Sequence, residues 1–117
     1  MGPGGFRKIA LSMPEAFEGG HMGHPDFRVK GKIFATLIRR DDVDWGVLKL
    51  MPAQQREWID RAPSAFKPVP GGWGRKGYTQ VRLKSVTTAV LKQAMFVAWL
   101  NTAPKSLVDQ HSSERRG

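Results

Sequence analysis

The chain of 117 residues contains no cysteine. Disulfide bonds, thiolate nucleophiles and cysteine-ligated metal sites are therefore excluded, and a cytoplasmic location is expected. The longest strongly apolar run, residues 94–100, is far shorter than the roughly 20 residues that span a bilayer. The N-terminus also lacks the apolar core of a secretion signal, so we expect no membrane partner.

Acidic residues are absent from one long segment, residues 61–108. Residues 1–60 contain nine basic and eight acidic residues, so their net charge is close to zero. Most of the net charge of +9 therefore lies in the acid-free segment. The cations of that segment are Arg61, Lys67, Arg75, Lys76, Arg82, Lys84, Lys92 and Lys105. Such a concentration of positive charge attracts polyanions, and nucleic acid is the commonest one that a protein meets.

Length and composition indicate one folded domain. Apolar residues make up 40% of the chain and charged residues 25%, which is ordinary for a globular protein. We predict that the domain occupies residues 6–106, between a flexible leader at residues 1–5 and a flexible tail at residues 107–117.

Apolar residues at helical spacing predict helices at 6–13, 52–62 and 87–103. Alternation and turn residues predict strands at 27–29, 33–38, 45–50, 66–70 and 78–84, and residues 16–22 are either a strand or a loop. The order α-β-β-β-α-β-β-α is typical of a two-layer α+β fold, with an antiparallel sheet and helices on one side. The last helix has an apolar stripe wider than one face, so a homodimer is the alternative to the monomer that we favour.

Residues 71–77 form a glycine-rich segment with two cations and a tryptophan. The segment lacks the Gly-Lys-Ser or Gly-Lys-Thr ending of a phosphate-binding loop. One interpretation is a hairpin tip, where glycines permit positive φ angles. The other, which we favour, is a flexible wing that presents Trp73, Arg75 and Lys76 to nucleic acid, because basic residues on the next strand extend the same patch.

A smaller basic hairpin at residues 28–32 is a second candidate wing, and a solvated charge cluster is its simpler interpretation. The candidate nucleic-acid-binding residues are Lys30, Lys32, Lys67, Trp73, Arg75, Lys76, Tyr78, Arg82 and Lys84. If they neutralise about four phosphates, the logarithm of affinity should fall with the logarithm of salt concentration at a slope near −4.

The sequence offers little for catalysis or metal binding. His21 and His24, with Asp26 as a third ligand, are too few for a structural zinc site. The aspartates at positions 41, 42 and 44 more simply occupy a turn. The chain has no Gly-x-Ser-x-Gly motif, and we predict no catalytic residue, no metal, no cofactor and no enzymatic activity.

Several motifs, taken in order, resemble those of a known family. The most specific is Gly-Trp-Gly-Arg-Lys-Gly-Tyr-Thr-Gln-Val at 72–81, and it follows His-Met-Gly-His-Pro-Asp-Phe-Arg-Val at 21–29 and Gly-Lys-Ile-Phe-Ala at 31–35. With shorter matches between Phe6 and Lys105, they resemble the MmcQ/YjbR family of small bacterial proteins. The resemblance implies a compact α+β fold, similar to that of secretion chaperones and frataxin-like proteins.

The same resemblance implies a DNA-binding role through two wing-like hairpins, which correspond here to residues 29–32 and 71–77. A fold alone does not fix a function, so the prediction of nucleic-acid binding also rests on the basic patch. We predict a non-enzymatic domain that binds nucleic acid, with double-stranded DNA as the expected partner. The alternative is a chaperone-like module that binds a protein or an acidic peptide through the sheet or the last helix.

Overall fold

The computed structural model describes residues 1–21 and 23–116, without the side chains of residue 21 and of residues 112–116. This part of the chain forms five helices and six strands. The helices are α1 (Pro3–Leu11), α2 (Pro52–Arg61), α3 (Gly72–Arg75), α4 (Thr88–Thr102) and α5 (Lys105–Arg116). The strands are β1 (Ala16–His21), β2 (His24–Val29), β3 (Lys32–Arg40), β4 (Val43–Lys49), β5 (Phe66–Pro68) and β6 (Tyr78–Arg82). None of the described helices is both long and apolar enough to cross a membrane.

The six strands form one antiparallel sheet in the order β1-β2-β3-β4-β6-β5. Helices α1 and α4 pack on β3 and β4, and α2 packs on β5 and β6, which confirms the predicted α+β fold. Gly46 of β4 lies directly beneath α1. A Cβ atom at this position would overlap the ring of Phe6, which is fully buried, so glycine allows the helix to lie close to the sheet.

Because side chains alternate along a strand, the sheet has two different faces. One face carries the buried core, including Phe27, Leu48 and Val81, beneath the helices. The opposite face contains two rows of residues that are neighbours across β3, β4 and β6. One row is Ile38, Trp45 and Arg82, and the other is Thr36, Val47 and Gln80. No described helix packs against the centre of this second face, which we call the open face.

Both ends of the chain carry helical residues that the sequence analysis did not assign to a helix. Residues 3–5 of the predicted flexible leader belong to α1, and the amino group of Met1 donates a hydrogen bond to the carbonyl oxygen of Leu83 at 2.9 Å. The predicted flexible tail is helix α5 as far as residue 116, and Leu107 of this helix is buried. Gly117 lies outside the described residues.

Helix α5 also explains the wide apolar stripe of α4. The ring of His111 lies 5.6 Å from that of Phe96 and 5.7 Å from that of Trp99, and Trp99 is fully buried. The apolar stripe of α4 therefore packs against the sheet and against α5 within one chain. A homodimer is not needed to explain the width of the stripe.

Thr87 caps the N-terminus of α4, because its hydroxyl oxygen accepts a hydrogen bond from the N–H of Val90 at 3.2 Å. We expect Thr87→Ala to lower the free energy of unfolding by about 1 kcal/mol, measured by urea denaturation. Thr88→Ala is the matched control, since Thr88 is exposed and follows the cap. It should change stability by less than about 0.5 kcal/mol. Equal losses in the two variants would contradict the cap.

Candidate nucleic-acid interface

A groove of about 470 Å³ runs along the open face. Its floor comes from β3, β4 and β6, and its wall comes from the segment that joins β5 to β6. The apolar and aromatic residues that line it are Ile33, Ile38, Val47, Val69, Trp73 and Tyr78. An uncovered groove of this composition is a natural place for a ligand.

The glycine-rich segment borders this groove, in the connection between the paired strands β5 and β6. Residues 72–75 form the single helical turn α3, and Gly74 is buried. The side-chain amide of Gln55, on α2, donates hydrogen bonds to the carbonyl oxygens of Gly74 at 3.1 Å and Tyr78 at 3.0 Å. The turn is therefore compact and is held against the body of the protein.

This turn presents Trp73 at one end of the groove. The indole is 59% exposed, and its ring meets that of Tyr78 edge-on at 5.1 Å. The ammonium of Lys76 lies 4.9 Å from the indole centre. We call Trp73, Lys76 and Tyr78 the Trp73 group. It combines an accessible aromatic surface with a positive charge.

A second aromatic and cationic cluster lies at the other end of β6. The ammonium of Lys67 lies 4.7 Å from the centre of the Trp45 ring, and the guanidinium carbon of Arg82 lies 5.0 Å from it. We call these three residues the Trp45 group. Arg82 follows Tyr78 by four residues, so the two groups are about 13 Å apart along the strand.

Arg40, the last residue of β3, also lines the groove. Its guanidinium donates a hydrogen bond of 2.6 Å to the side-chain oxygen of Gln80, which is buried. The amide nitrogen of Gln80 in turn donates to the carbonyl oxygen of Pro68 at 3.3 Å. The strand predicted from the sequence at residues 33–38 ended at Ile38 and therefore missed Arg40, which belongs to β3. The alternation of Thr36, Ile38 and Arg40 on one face was the signal that could have found it.

The open face and its ends concentrate unneutralised positive charge. Six cations there form no ion pair with any described carboxylate: Arg40, Lys49, Lys67, Arg75, Lys76 and Arg82. Arg28 differs, because its guanidinium binds the buried carboxylate of Asp26 at 2.7 Å. The hydrogen bonds that the Arg28 guanidinium donates to Asp26 raise the pKa of Arg28, although desolvation of the guanidinium opposes the rise. The face therefore carries a net positive charge.

The second predicted wing adjoins the groove at Ile33, but neither of its lysines lines the groove. Lys30 forms an ion pair with Glu15 at 2.9 Å. Lys32 pairs across the hairpin with Val29, which is buried under the helices, so Lys32 points toward the helical side. Lys84 lies in the turn beyond β6. Of the predicted site residues, the open face and its ends thus bring together Lys67, Trp73, Lys76, Tyr78 and Arg82, and Arg75 lies on the same turn as Trp73.

The histidine motif considered as a metal site is only partly described. Met22 and the side chain of His21 lie outside the described residues. Among the side chains that the structure describes, no three of His, Asp or Glu are grouped so that they could hold a metal ion. Asp26, the third candidate ligand, is ion-paired with Arg28.

Comparison with known proteins connects this geometry to a family. The family model for YjbR matches residues 11–102. The chain belongs to the YjbR family. The matched span of this YjbR domain contains the groove and both aromatic groups. A comparison with curated proteins finds no match.

Two solved structures share the fold of this YjbR domain. A crystal structure of a Deinococcus radiodurans protein with a DUF419 domain superimposes with a TM-score of 0.65 and 20% identity, over 80% of this chain and 72% of that one. A crystal structure of a Pseudomonas syringae protein superimposes with a TM-score of 0.70 and 15% identity, over 87% and 99%. At these identities the likeness extends to the fold alone.

Proposed function

We propose that this YjbR domain binds nucleic acid through the open face, without catalysing a reaction on it. The observation that carries the proposal is the set of six cations, unpaired with any described carboxylate, around a groove with an exposed indole. Cations supply sequence-independent affinity for phosphates, and aromatic rings supply stacking surface for bases. The net charge of +9 adds a long-range attraction that accelerates encounter.

The positions of the cations suit a polymer better than a small anion. Arg75 and Lys76 lie at the end of the groove near Trp73, and Arg82 lies about 13 Å farther along β6. A ligand that contacts both ends must span the groove. Consecutive phosphates of a nucleic acid can do so, whereas a single phosphate reaches one end only. Both the duplex expected from the sequence and a single strand fall within this proposal.

Replacing Arg75 and Lys76 together with alanine is expected to weaken binding to a labelled DNA of about 12 nucleotides by about tenfold near 0.1 M salt. The slope of log affinity against log salt should become shallower by about 1.5, because each lost phosphate contact contributes about 0.7 to 0.9. Fluorescence anisotropy at salt concentrations between about 50 and 200 mM provides both values.

The matched control replaces Lys92 and Lys105 with alanine. Both are exposed and lie on helices α4 and α5, so the variant loses the same charge away from the groove. We expect this control to keep nearly all of the affinity and most of the slope. If the two double variants lose affinity equally, net charge alone drives binding and the proposed site is contradicted. An unchanged slope in the Arg75→Ala/Lys76→Ala variant would remove those residues from the site.

A second candidate function is the binding of an acidic, amphipathic peptide. The observation that favours it is the aliphatic part of the floor, formed by Ile33, Ile38 and Val47. Such residues accommodate apolar side chains, while the surrounding cations suit flanking carboxylates. Binding through the floor would depend weakly on salt, since apolar contacts release no counterions. Titration of an acidic peptide at the same salt concentrations distinguishes the two functions.

A further inference from the structure

We infer that the nucleic acid bound at this face is a single strand, with unpaired bases in the groove and one of them stacked on Trp73. The inference rests on the proposed function and deepens it, because it names the class of nucleic acid. It also replaces the duplex that the sequence alone favours.

The composition of the groove carries the first part of the argument. A duplex keeps the faces of its bases stacked inside and presents phosphates, sugars and base edges. It would leave the apolar floor around Ile38 and Val47 without a matching surface. Unpaired bases have apolar faces that can enter such a groove, while their phosphates reach the cations at its ends. The groove therefore fits a single strand better.

The shape of the α3 turn carries the second part. A wing that enters a groove of duplex DNA must protrude, but this turn is tied to α2 by Gln55. Trp73 is instead held beside the groove by its contact with Tyr78. At 59% exposure it is the most exposed of the large apolar side chains that the structure describes. An indole that is fixed and accessible is a stacking platform for a base.

The spacing of the two aromatic groups sets the length of the bound segment. Their separation of about 13 Å along β6 corresponds to a short strand. We expect a site of about four nucleotides, at the lower end of the range for single-strand-binding folds. The Trp45 group supplies Lys67 and Arg82 to the phosphates at its far end. Its ring is nearly buried, so we assign the stacking to Trp73.

The test compares three DNA ligands of about 12 nucleotides: a thymidine strand, a duplex, and an abasic strand with the same number of phosphates. We expect the thymidine strand to bind at least about tenfold more tightly than either of the others. Binding should also quench tryptophan fluorescence, with Trp73 as the responding residue because Trp45, Trp58 and Trp99 are buried. A uridine strand shows whether DNA or RNA is preferred, and binding of either supports the inference.

Variants at position 73 separate stacking from charge. Trp73→Ala should weaken binding of the thymidine strand by about tenfold and leave binding of the abasic strand nearly unchanged. Trp73→Phe should restore most of the affinity, since it keeps an aromatic face. Leu100→Ala is the control, because Leu100 is an exposed apolar residue on α4, away from the groove. It should bind all ligands like the unmodified protein.

Two results distinguish failure of the inference from failure of the proposed function. Duplex binding as tight as strand binding, with Trp73→Ala unchanged, overturns the single-strand inference and leaves nucleic-acid binding in place. No binding to any of the DNA or RNA ligands at about 50 mM salt overturns both, because electrostatic binding is strong at low salt. Capture of the acidic peptide in that second case assigns the groove to the alternative function.

Discussion

Replacing Gly77 with alanine is expected to lower the free energy of unfolding by about 4 kcal/mol. Gly77 adopts a φ of +110°, where an L side chain is strained. A Cβ atom at this position would also overlap the carbonyl oxygen of Leu50, and backbone cannot swing aside as a side chain can. The two costs add, each in the range of about 1 to 3 kcal/mol. Urea denaturation, compared with the unmodified protein, measures the loss.

Two neighbouring glycines provide separate controls for the backbone strain and for the steric overlap. Gly71 also has a positive φ, of +81°, but no atom lies within 4 Å of a Cβ built on it. Gly71→Ala should therefore cost only the conformational strain, about 1 kcal/mol. A Cβ atom on Gly74, which lies in α3, would overlap the carbonyl oxygen of Val69. We expect Gly74→Ala to cost about 2 to 3 kcal/mol without the strain of a positive φ.

The predicted order of losses is Gly77→Ala, then Gly74→Ala, then Gly71→Ala. If Gly71→Ala destabilises as much as Gly77→Ala, backbone strain alone accounts for both, and close packing of the turn against Leu50 is not the cause. If all three have little effect, the turn is not pressed against the protein as the structure shows. Either result would also weaken the assignment of Trp73 as a fixed platform.

These glycines show why the sequence identified the segment but not its shape. Glycine permits a flexible hairpin tip and a tightly packed turn equally, and composition does not separate the two. The deciding contacts come from residues far along the chain, the carbonyl oxygen of Leu50 and the side chain of Gln55. Composition alone therefore does not distinguish a flexible wing from a packed turn.

Local periodicity was a better guide for the strands than for the ends of the chain. The alternation after Tyr78 correctly placed Thr79, Val81 and Leu83 in the core and Arg82 outside. Helix α5 escaped prediction because most of its residues are polar and few anchor it, chiefly Leu107. The wide apolar stripe of α4 indicated that a second surface packs against this helix. The sequence did not show whether that surface belongs to the same chain or to a second copy.

The sequence indicated which residue types the candidate site contains, but it did not indicate which of them lie close together in the fold. Lys67, Arg75 and Arg82 of the acid-free segment form no ion pair with a described carboxylate, whereas Arg61 of the same segment pairs with Glu57. Sequence order could not show that β4 lies between β3 and β6, and that Arg40 therefore reaches Gln80 across the sheet. Nor could it show that Glu15 would pair with Lys30. Long-range pairing decides which charges meet, and the local pattern does not contain it.

Gln55→Glu is expected to lower the free energy of unfolding by about 4 kcal/mol at pH 7. In the native protein the side-chain amide of Gln55 donates to the carbonyl oxygens of Gly74 and Tyr78 from a buried position. A carboxylate has nearly the same shape but no hydrogen to donate, so a buried negative charge would face two carbonyl oxygens. Urea denaturation measures the loss, and amide hydrogen exchange should show faster opening at residues 72–77.

The loss should depend on pH, because burial beside carbonyl oxygens favours the protonated form of the introduced carboxyl group. Its pKa is then higher in the folded than in the unfolded chain, so the folded state binds the proton more tightly. The stability of the variant relative to the unmodified protein is therefore highest below the pKa of this carboxyl group in the unfolded chain. It falls as the pH rises through the pKa of the group in the folded chain. We expect the difference from the unmodified protein to shrink between pH 7 and about pH 4.

Gln55→Leu is the matched control, since it removes both donors without adding charge. Gly74 would keep a hydrogen bond from the N–H of Gly77, and Tyr78 would keep one from the N–H of Val69. Neither carbonyl oxygen is left without a partner, so the cost should be about 2 kcal/mol and should not change with pH. In both variants the folded fraction should bind a single strand less tightly, because Gln55 holds the turn that positions Trp73. Loss of stability without loss of strand binding would show that the platform does not depend on this support.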